Sequence, residues 1–178
     1  GGYPEKMLAL EMGGNNPLNV DKDENVEAAV YTIIQSAFIS AGQRCTCARR
    51  LIALRSPENE ALVSVLVSAI EKIKVGYDDN CFMGPVVSNG AADRVVSCAA
   101  VLEHAGATVL KSVERPDKSK ALLLPGLIDI TAMKTRHDEE CFGPLLQLEW
   151  VDTLDEAIDS ANNTRYGLAA GLLSDHSD

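Results

Sequence analysis

Two kinds of apolar pattern alternate along this chain, and their alternation limits the folds that it can adopt. Short apolar runs of strand length are separated by longer stretches in which apolar residues recur at steps of three and four. The clearest of these stretches covers 24–41, where residues such as Val30 and Ile33 share one predicted helical face. Because helices of this length can connect parallel strands, the pattern predicts an α/β domain with a largely parallel sheet.

The remaining elements follow from the same periodicity and from turn residues. Three further helices are predicted, one that begins near Pro57, one that runs from an N-cap at Ser88 to Gly106, and one over 154–161. The predicted strands are 7–12, 51–54, 108–110, 122–124, 127–130, 145–151 and 168–173. A tight turn is predicted at Gly13 and Gly14.

Composition excludes several classes of protein. With 178 residues, of which 46% are hydrophobic, the chain can bury one substantial core, so we expect a single globular unit. A net charge of −10 disfavours binding to nucleic acid or to an anionic membrane surface. No apolar run reaches the roughly 18 residues that span a bilayer, and no secretory signal pattern is visible, so we expect a cytoplasmic location. Five cysteines without a C-x-x-C pair argue against a disulfide framework and a ribbon-type zinc site.

Cys45 is a candidate nucleophile just beyond the first predicted helix. A free thiol has a pKa of about 8.5, so it needs nearby positive charge or oriented N–H groups to react as a thiolate at neutral pH. Arg44, Arg49 and Arg50 supply such charge in an otherwise acidic chain. The alternative is a packed structural thiol. A metal or redox pair with Cys47 lacks partners at ligand spacing, so we predict no metal site.

Glu11 is a candidate general base within a short apolar run. Burial penalises the charged form of a carboxylate and so raises its pKa toward the range useful for proton abstraction. The two glycines that follow it allow the backbone to approach closely. The alternative is an edge-strand carboxylate that faces water.

Three segments together resemble the catalytic segments of the NAD(P)-dependent aldehyde dehydrogenase superfamily. They are L-E-M-G-G-N-N-P, F-I-S-A-G-Q-R-C-T-C and E-E-C-F-G-P, in that order. The resemblance implies a three-layer α/β/α catalytic domain with a mostly parallel sheet. It also implies that Cys45 attacks an aldehyde and that Glu11 activates the water that releases the product. Glu140 would accept hydrogen bonds from the nicotinamide ribose of NAD, and Phe142 would pack near the nicotinamide.

The segments E-M-G-G-N-N-P-L, S-A-F and G-Q-R-C-T-C-A-R-R together further resemble those of superfamily members from bacterial arginine breakdown, whose semialdehyde substrate carries two carboxylates. Arg44 and Arg49 would then serve as substrate anchors, because guanidinium groups suit carboxylates. Alternatively, the arginines that open the following strand pair with acidic neighbours. Other small acidic semialdehydes, an acylating form that uses coenzyme A, and a non-catalytic binding module are the remaining alternatives. Glu11 disfavours the acylating form.

The same resemblance predicts the domain organisation. No glycine-rich phosphate loop follows a strand in this sequence. We therefore expect residues 1–178 to be a catalytic domain fragment, without the family's dinucleotide-binding domain and C-terminal oligomerisation segment. The complete enzyme is expected to be a homo-oligomer. The isolated chain is expected to have little activity, since much of the cofactor site would be missing.

Overall fold

The computed structural model describes residues 13–22, 25–136 and 138–175, and within them six strands form one sheet with four α-helices around it. The predicted strand 7–12 lies outside the described residues. The elements are β1 (Asn16–Val20), α1 (Val26–Phe38), a 3₁₀ turn (Ile39–Gly42), β2 (Ala48–Leu54), α2 (Pro57–Ile70), α3 (Asn89–His104), β3 (Thr108–Lys111), β4 (Gly126–Asp129), β5 (Leu145–Val151), α4 (Leu154–Asn162) and β6 (Gly171–Leu173).

The sheet has the order β3-β4-β5-β2-β1-β6, and only the β3–β4 pair is antiparallel among these strands. At its centre, Leu51 of β2 lies opposite Leu148 of β5 on one side and Leu18 of β1 on the other. Parallel strands buried on both faces are mostly apolar, and Leu51–Leu54 of β2 has this composition, whereas the start of β2 and the middle of β5 bury polar residues: Arg49, Arg50, Gln147 and Glu149. The predicted α/β class with a mostly parallel sheet is confirmed.

Helices cover both faces of the sheet. Successive side chains of a strand point to opposite faces. In β2, Leu51 and Ala53 belong to the main core with α1 and α2, whereas Ile52 packs in a second cluster with Val151 and with Ala157 of α4. The molecule therefore has three layers, with α4 on the face opposite to α1 and α2, as the resemblance implied.

Polar side chains fix the starts of the helices. The side chains of Asn25, Ser56, Ser88 and Thr153 each accept a hydrogen bond from a backbone N–H of the first turn of α1, α2, α3 and α4, respectively. Such N-caps satisfy donors that the helix itself cannot pair. The predicted N-cap at Ser88 is confirmed, with the Ala91 N–H donating over 3.1 Å.

One predicted strand is not formed, and one observed strand was not predicted. Among the described residues, the segment 122–124 makes only an isolated bridge, between Leu124 and Glu114, and Pro125, which follows it, has no backbone N–H to continue a ladder. Conversely, β1 was not predicted, since its two asparagines are typical of turns. In the fold, the Asn16 and Asn19 side chains bond to backbone carbonyls on neighbouring segments, which stabilises them within a strand.

Candidate active site

The loop that holds Cys45 begins with an unusual backbone turn. Ser40, Ala41 and Gly42 have φ values of 54°, 56° and 66°. These values lie in the left-handed region, which residues other than glycine rarely adopt. Such strain persists only where the surrounding structure holds it and tends to occur at functional sites. The turn ends α1 abruptly and directs the chain into β2, leaving Cys45 half-buried just before that strand.

Asn16 holds the backbone on both sides of this loop. Its Nδ2 donates to the carbonyl oxygens of Cys45 at 2.6 Å and Cys47 at 2.9 Å, and its Oδ1 accepts from the Ala169 N–H at 3.1 Å. The residue is 3% exposed. One buried amide therefore ties the candidate nucleophile to β1 and to the segment that leads into β6.

The glycine segment lies directly against the same loop. A Cβ atom placed on Gly14 would be 2.7 Å from the Cys45 carbonyl oxygen, closer than real side-chain contacts allow. Only glycine permits this approach of two backbones. The backbone N–H of Gly14 also donates to Oε2 of Glu140 at 3.1 Å. Gly14 thus touches both other sequence segments of the predicted site.

Glu140 and Phe142 are brought to the same place by Arg49. Arg49 donates to Oε1 of Glu140 from Nη2 at 3.2 Å and from Nε at 3.4 Å. Its guanidinium carbon lies 5.3 Å from the centre of the Phe142 ring, within cation–π range. Nη2 also donates to the carbonyl of Arg44 at 3.0 Å. The three segments singled out in the sequence therefore meet in space.

The arginines differ sharply in their surroundings. Arg44 is exposed, with its Nε donating to Ser40 Oγ at 3.0 Å. The Arg49 side chain has no exposed surface and is ion-paired with Glu140, so its guanidinium is not open to a substrate in this structure. This placement departs from the expected substrate anchor and matches the alternative, in which a strand-opening arginine pairs with an acidic neighbour.

Arg50 points to the opposite face of β2. Its guanidinium donates to the backbone carbonyls of Asn15, Ser160 and Ala161 at 2.8 to 2.9 Å. Burial lowers the pKa of Arg50, an effect partly opposed by the negative charge of Glu149. Arg50 therefore links β2 to the end of α4 and makes no contact with Glu140.

A cavity of about 690 Å³ lies beside this cluster. Glu140 and Phe142 line it on one side, and Val95 and Cys98 of α3 line it on the other. Gln43, two residues before Cys45, also lines it and accepts a hydrogen bond from the Val87 N–H at 2.9 Å. This volume is in the range of small-molecule and cofactor sites.

Asp138 joins the acidic segment to two others and was not identified from the sequence. Its carboxylate accepts hydrogen bonds from Asn15 Nδ2 at 2.9 Å, Thr164 Oγ1 at 2.7 Å and the Arg165 N–H at 2.7 Å. Burial raises the pKa of Asp138, but the three hydrogen bonds and the positive charge of Arg165 together lower it by more, so the pKa lies below its usual value. Asp138 thus orders the segment that leads to Glu140.

Two thiols line the cavity together, and their spacing in the sequence did not predict that they would be neighbours. The interaction between the thiols of Cys98 of α3 and Cys141 raises the pKa of Cys141 and lowers that of Cys98. Burial raises the pKa of Cys141 further. The Cys47 thiol is buried, and its sulfur lies 3.7 Å from the carbonyl oxygen of Ile39. Cys45 differs from Cys47 and Cys141 in being partly accessible.

One predicted site residue, the metal expectation and the membrane expectation complete the comparison with the sequence. Glu11 falls outside the described residues, although Gly14, three residues later, contacts the Cys45 loop. In the described ranges no group of three or more potential ligands among His, Cys, Asp and Glu could hold a metal ion. None of the helices in those ranges is long and apolar enough to cross a membrane.

Comparison with known proteins gives consistent matches over nearly the whole chain. The model of the aldehyde dehydrogenase family matches residues 3–178. Two curated relatives, from Ectopseudomonas mendocina and Pseudomonas fluorescens, are both named N-succinylglutamate 5-semialdehyde dehydrogenase. Each is 53% identical over 177 residues and matches 98% of this chain. The chain spans 36% of the length of each of these relatives.

Solved structures give the same result for the fold. Methylmalonate-semialdehyde dehydrogenase from Oceanimonas doudoroffii matches with a TM-score of 0.84 and 28% identity, over 93% of this chain and 35% of that chain. Betaine aldehyde dehydrogenase from Staphylococcus aureus, solved in complex with NAD⁺, matches with a TM-score of 0.81 and 32% identity, over 93% of this chain and 34% of that chain.

Proposed function

Because the chain belongs to the aldehyde dehydrogenase family, we propose that the protein that carries it oxidises an aldehyde to a carboxylate through a thioester on Cys45, with NAD as cofactor. The observation that carries this proposal is the meeting of three segments. Gly14 lies against the Cys45 carbonyl and donates to Glu140, while Arg49 links Glu140 to the residue before Cys45. These segments hold the residues that the proposed chemistry needs.

Cys45 provides the nucleophile. Its thiolate adds to the carbonyl carbon of the aldehyde and forms a carbon–sulfur bond. NAD, when bound, supplies the hydride acceptor, and loss of hydride from that carbon leaves a thioester on Cys45. Glu11 then removes a proton from water, the resulting hydroxide attacks the thioester carbonyl, and the Cys45 thiolate leaves with release of the carboxylate. Support for Glu11 comes from its position three residues before Gly14.

Glu140 and Phe142 are proposed to hold the nicotinamide riboside. A carboxylate has about four acceptor positions. Three donor groups already point to Glu140, namely Nε and Nη2 of Arg49 and the N–H of Gly14. Acceptor capacity therefore remains for a ribose hydroxyl, and the Glu140 side chain is 12% exposed beside the cavity. Phe142 lines the same cavity with an apolar ring on which a nicotinamide can pack.

The proposed substrate is N-succinylglutamate 5-semialdehyde, after the two relatives with 53% identity. The product would be N-succinylglutamate. Arg44 is the candidate anchor for a substrate carboxylate, because its exposed guanidinium is adjacent in sequence to Cys45. Another small acidic semialdehyde is the alternative that an exposed arginine would equally support. Residues 1–178 are proposed to supply the catalytic domain of a homo-oligomeric enzyme.

Variants of the complete protein that carries this sequence test the mechanism. Cys45→Ala is expected to abolish both the burst of NADH and steady turnover, whereas Cys47→Ala, the matched control, keeps both. Glu11→Gln is expected to keep the burst and lose steady turnover, because acylation precedes the step that needs the base. Steady turnover by Glu11→Gln at the wild-type rate would contradict the role of Glu11.

A substrate panel tests the specificity separately. N-succinylglutamate 5-semialdehyde, succinate semialdehyde and glutamate semialdehyde are compared by kcat/KM. The proposal expects a preference of at least about tenfold for the first, and Arg44→Met is expected to reduce that preference. Equal kcat/KM values across the panel would refute the substrate while leaving the reaction class in place.

A further inference from the structure

Arg49 is a fully buried cation in an acidic protein, and its partners all lie at or next to the proposed active site. Arginine is almost never completely buried unless it is paired. The groups that surround Arg49 are the carboxylate of Glu140, the ring of Phe142 and the carbonyl of Arg44. Two of these belong to the proposed cofactor site and the third immediately precedes the proposed nucleophile.

The contact between Arg49 and Glu140 fixes the carboxylate in direction as well as in distance. Both Nε and Nη2 donate to the same oxygen, Oε1, while the Gly14 N–H donates to Oε2. The planar guanidinium holds donors in a fixed fork, which a lysine ammonium cannot reproduce. Glu140 therefore has one oxygen assigned to Arg49 and one to the glycine segment.

The same guanidinium also extends to the nucleophile loop. Nη2 of Arg49 donates both to Glu140 and to the carbonyl of Arg44, at 3.2 Å and 3.0 Å. Its remaining nitrogen, Nη1, is buried without a hydrogen-bond partner among the described residues.

We propose that Arg49 is a positioning residue, which fixes Glu140 and Phe142 relative to the Cys45 loop and so sets where the nicotinamide riboside lies. This inference rests on the proposed function. Arg49 itself does not touch the cofactor or the substrate. It acts through the Glu140 carboxylate and the Phe142 ring, both of which line the cavity.

Arg50 provides a matched control on the same strand. It is also an arginine, it is 7% exposed, and it points to the other face of β2. Its hydrogen bonds go to three backbone carbonyls and to none of the groups that Arg49 contacts. A loss of stability is expected from replacing either arginine, but a change in cofactor binding is expected only from Arg49.

The test uses the complete protein that carries this sequence, as Arg49→Lys, Arg49→Gln and Arg50→Lys variants. NADH binding is measured by fluorescence titration, and thermal melts confirm that each variant is folded. Arg49→Lys is expected to raise the Kd for NADH about tenfold, and Arg49→Gln by more, since charge-assisted hydrogen bonds are lost. Arg50→Lys is expected to change that Kd by less than about twofold. If Arg49→Lys does not fold, Arg49→Gln serves alone.

A double-mutant cycle identifies the group through which Arg49 acts. In a Glu140→Gln background, Arg49→Lys is expected to weaken NADH binding by less than about twofold further, because the partner is already altered. The rate of Cys45 alkylation by iodoacetamide is expected to stay within about twofold in every variant, since Asn16 still holds the Cys45 carbonyl. The KM for NAD should rise more than kcat falls.

Three results would overturn the positioning role. They are unchanged NADH binding in both Arg49 variants, an equal loss of binding in Arg50→Lys, and full additivity of Arg49→Lys with Glu140→Gln. If the variants give any of these results while the wild-type protein binds NADH and oxidises aldehydes, the proposed function still stands. A wild-type protein that neither binds NADH nor oxidises any aldehyde overturns the proposed function and this inference together.

Discussion

Replacing Asn16 tests how the loop of Cys45 is held. The Asn16 side chain makes three hydrogen bonds, donating to the carbonyls of Cys45 and Cys47 and accepting from the Ala169 N–H. Asn16→Ala removes all three. Asn16→Asp keeps the size of the side chain but replaces the donating amide with a carboxylate, which when ionised can only accept. It would then place a negative oxygen against two carbonyl oxygens.

The size of the effect follows from the burial of each partner. The bond to Cys47 is buried, and an unsatisfied buried carbonyl costs about 1 to 3 kcal/mol. The bonds to Cys45 and from Ala169 are partly buried, so water can replace part of each loss, at about 0.5 to 1 kcal/mol each. Asn16→Ala should therefore destabilise the chain by about 3 kcal/mol, or about 6 to 12 °C in Tm for a domain of this size. Asn16→Asp should cost more.

Thermal unfolding by circular dichroism measures the loss of stability, and iodoacetamide labelling followed by peptide mass spectrometry measures the reactivity of Cys45. Asn19→Ala is the matched control on the same strand, because the Asn19 amide makes one hydrogen bond, to the carbonyl of Gly171 at 3.1 Å. It should lower the Tm by only a few degrees, consistent with about 1 kcal/mol, and leave labelling of Cys45 unchanged. For Asn16→Ala we expect slower and less selective labelling, since the loop is no longer fixed.

An Asn16→Ala variant with the same Tm as Asn19→Ala and the wild-type rate of Cys45 labelling would contradict this role of the Asn16 amide. That result would mean that the strained turn and the Gly14 contact hold the loop without the amide. An Asn16→Asp variant more stable than Asn16→Ala at pH 7 would also contradict the assigned donor directions.

Three further predictions concern the same region. Gly42→Ala should destabilise the chain by about 2 kcal/mol or more, because φ is 66° there and the added Cβ would meet the Gly143 backbone; urea unfolding measures this, and a change below about 0.5 kcal/mol would contradict it. Because the pKa of Asp138 is lowered in the folded state, the ionised carboxylate stabilises the fold above about pH 4, and this stabilisation is lost as the pH falls through the pKa of the folded state. Asp138→Asn should therefore reduce stability at pH 7 and flatten its decline in acid; an unchanged slope between pH 5 and 2 would exclude this contribution. Under native conditions iodoacetamide should label Cys45 well before Cys47, which is buried; equal rates would count against an accessible Cys45.

Local sequence predicted most of the secondary structure for clear physical reasons. The predicted helix over 24–41 and the predicted strand over 145–151 have long apolar patterns, and α1 and β5 bury the residues that those patterns indicate. The N-cap at Ser88 was equally readable, because capping depends on neighbours within three residues. By contrast, β1 could not be predicted, since its asparagines are stabilised by partners 29, 31 and 152 residues away.

Only part of the candidate site could be predicted from the sequence. Cys45, Glu140 and Phe142 were proposed as site residues through the resemblance of short segments, because the residue types and their local spacing are visible in the sequence. The partners of each arginine could not be predicted, since Arg49 and Arg50 are adjacent in sequence yet project to opposite faces of β2. The Asp138 network and the Cys98–Cys141 contact were also missed, because their partners are distant along the chain.

The sequence by itself determined the alternation of strands and helices, the acidic charge and the chemical groups available for catalysis, since these depend on residue identity and on spacing over a few residues. Tertiary structure alone decided that Gly14, Cys45 and Glu140 meet and that Arg49 is an internal ion-pair partner instead of an exposed anchor. The reason is that burial and hydrogen-bond partners depend on how parallel strands are ordered in the sheet. That order brings together residues far apart in the chain, and no local pattern records it.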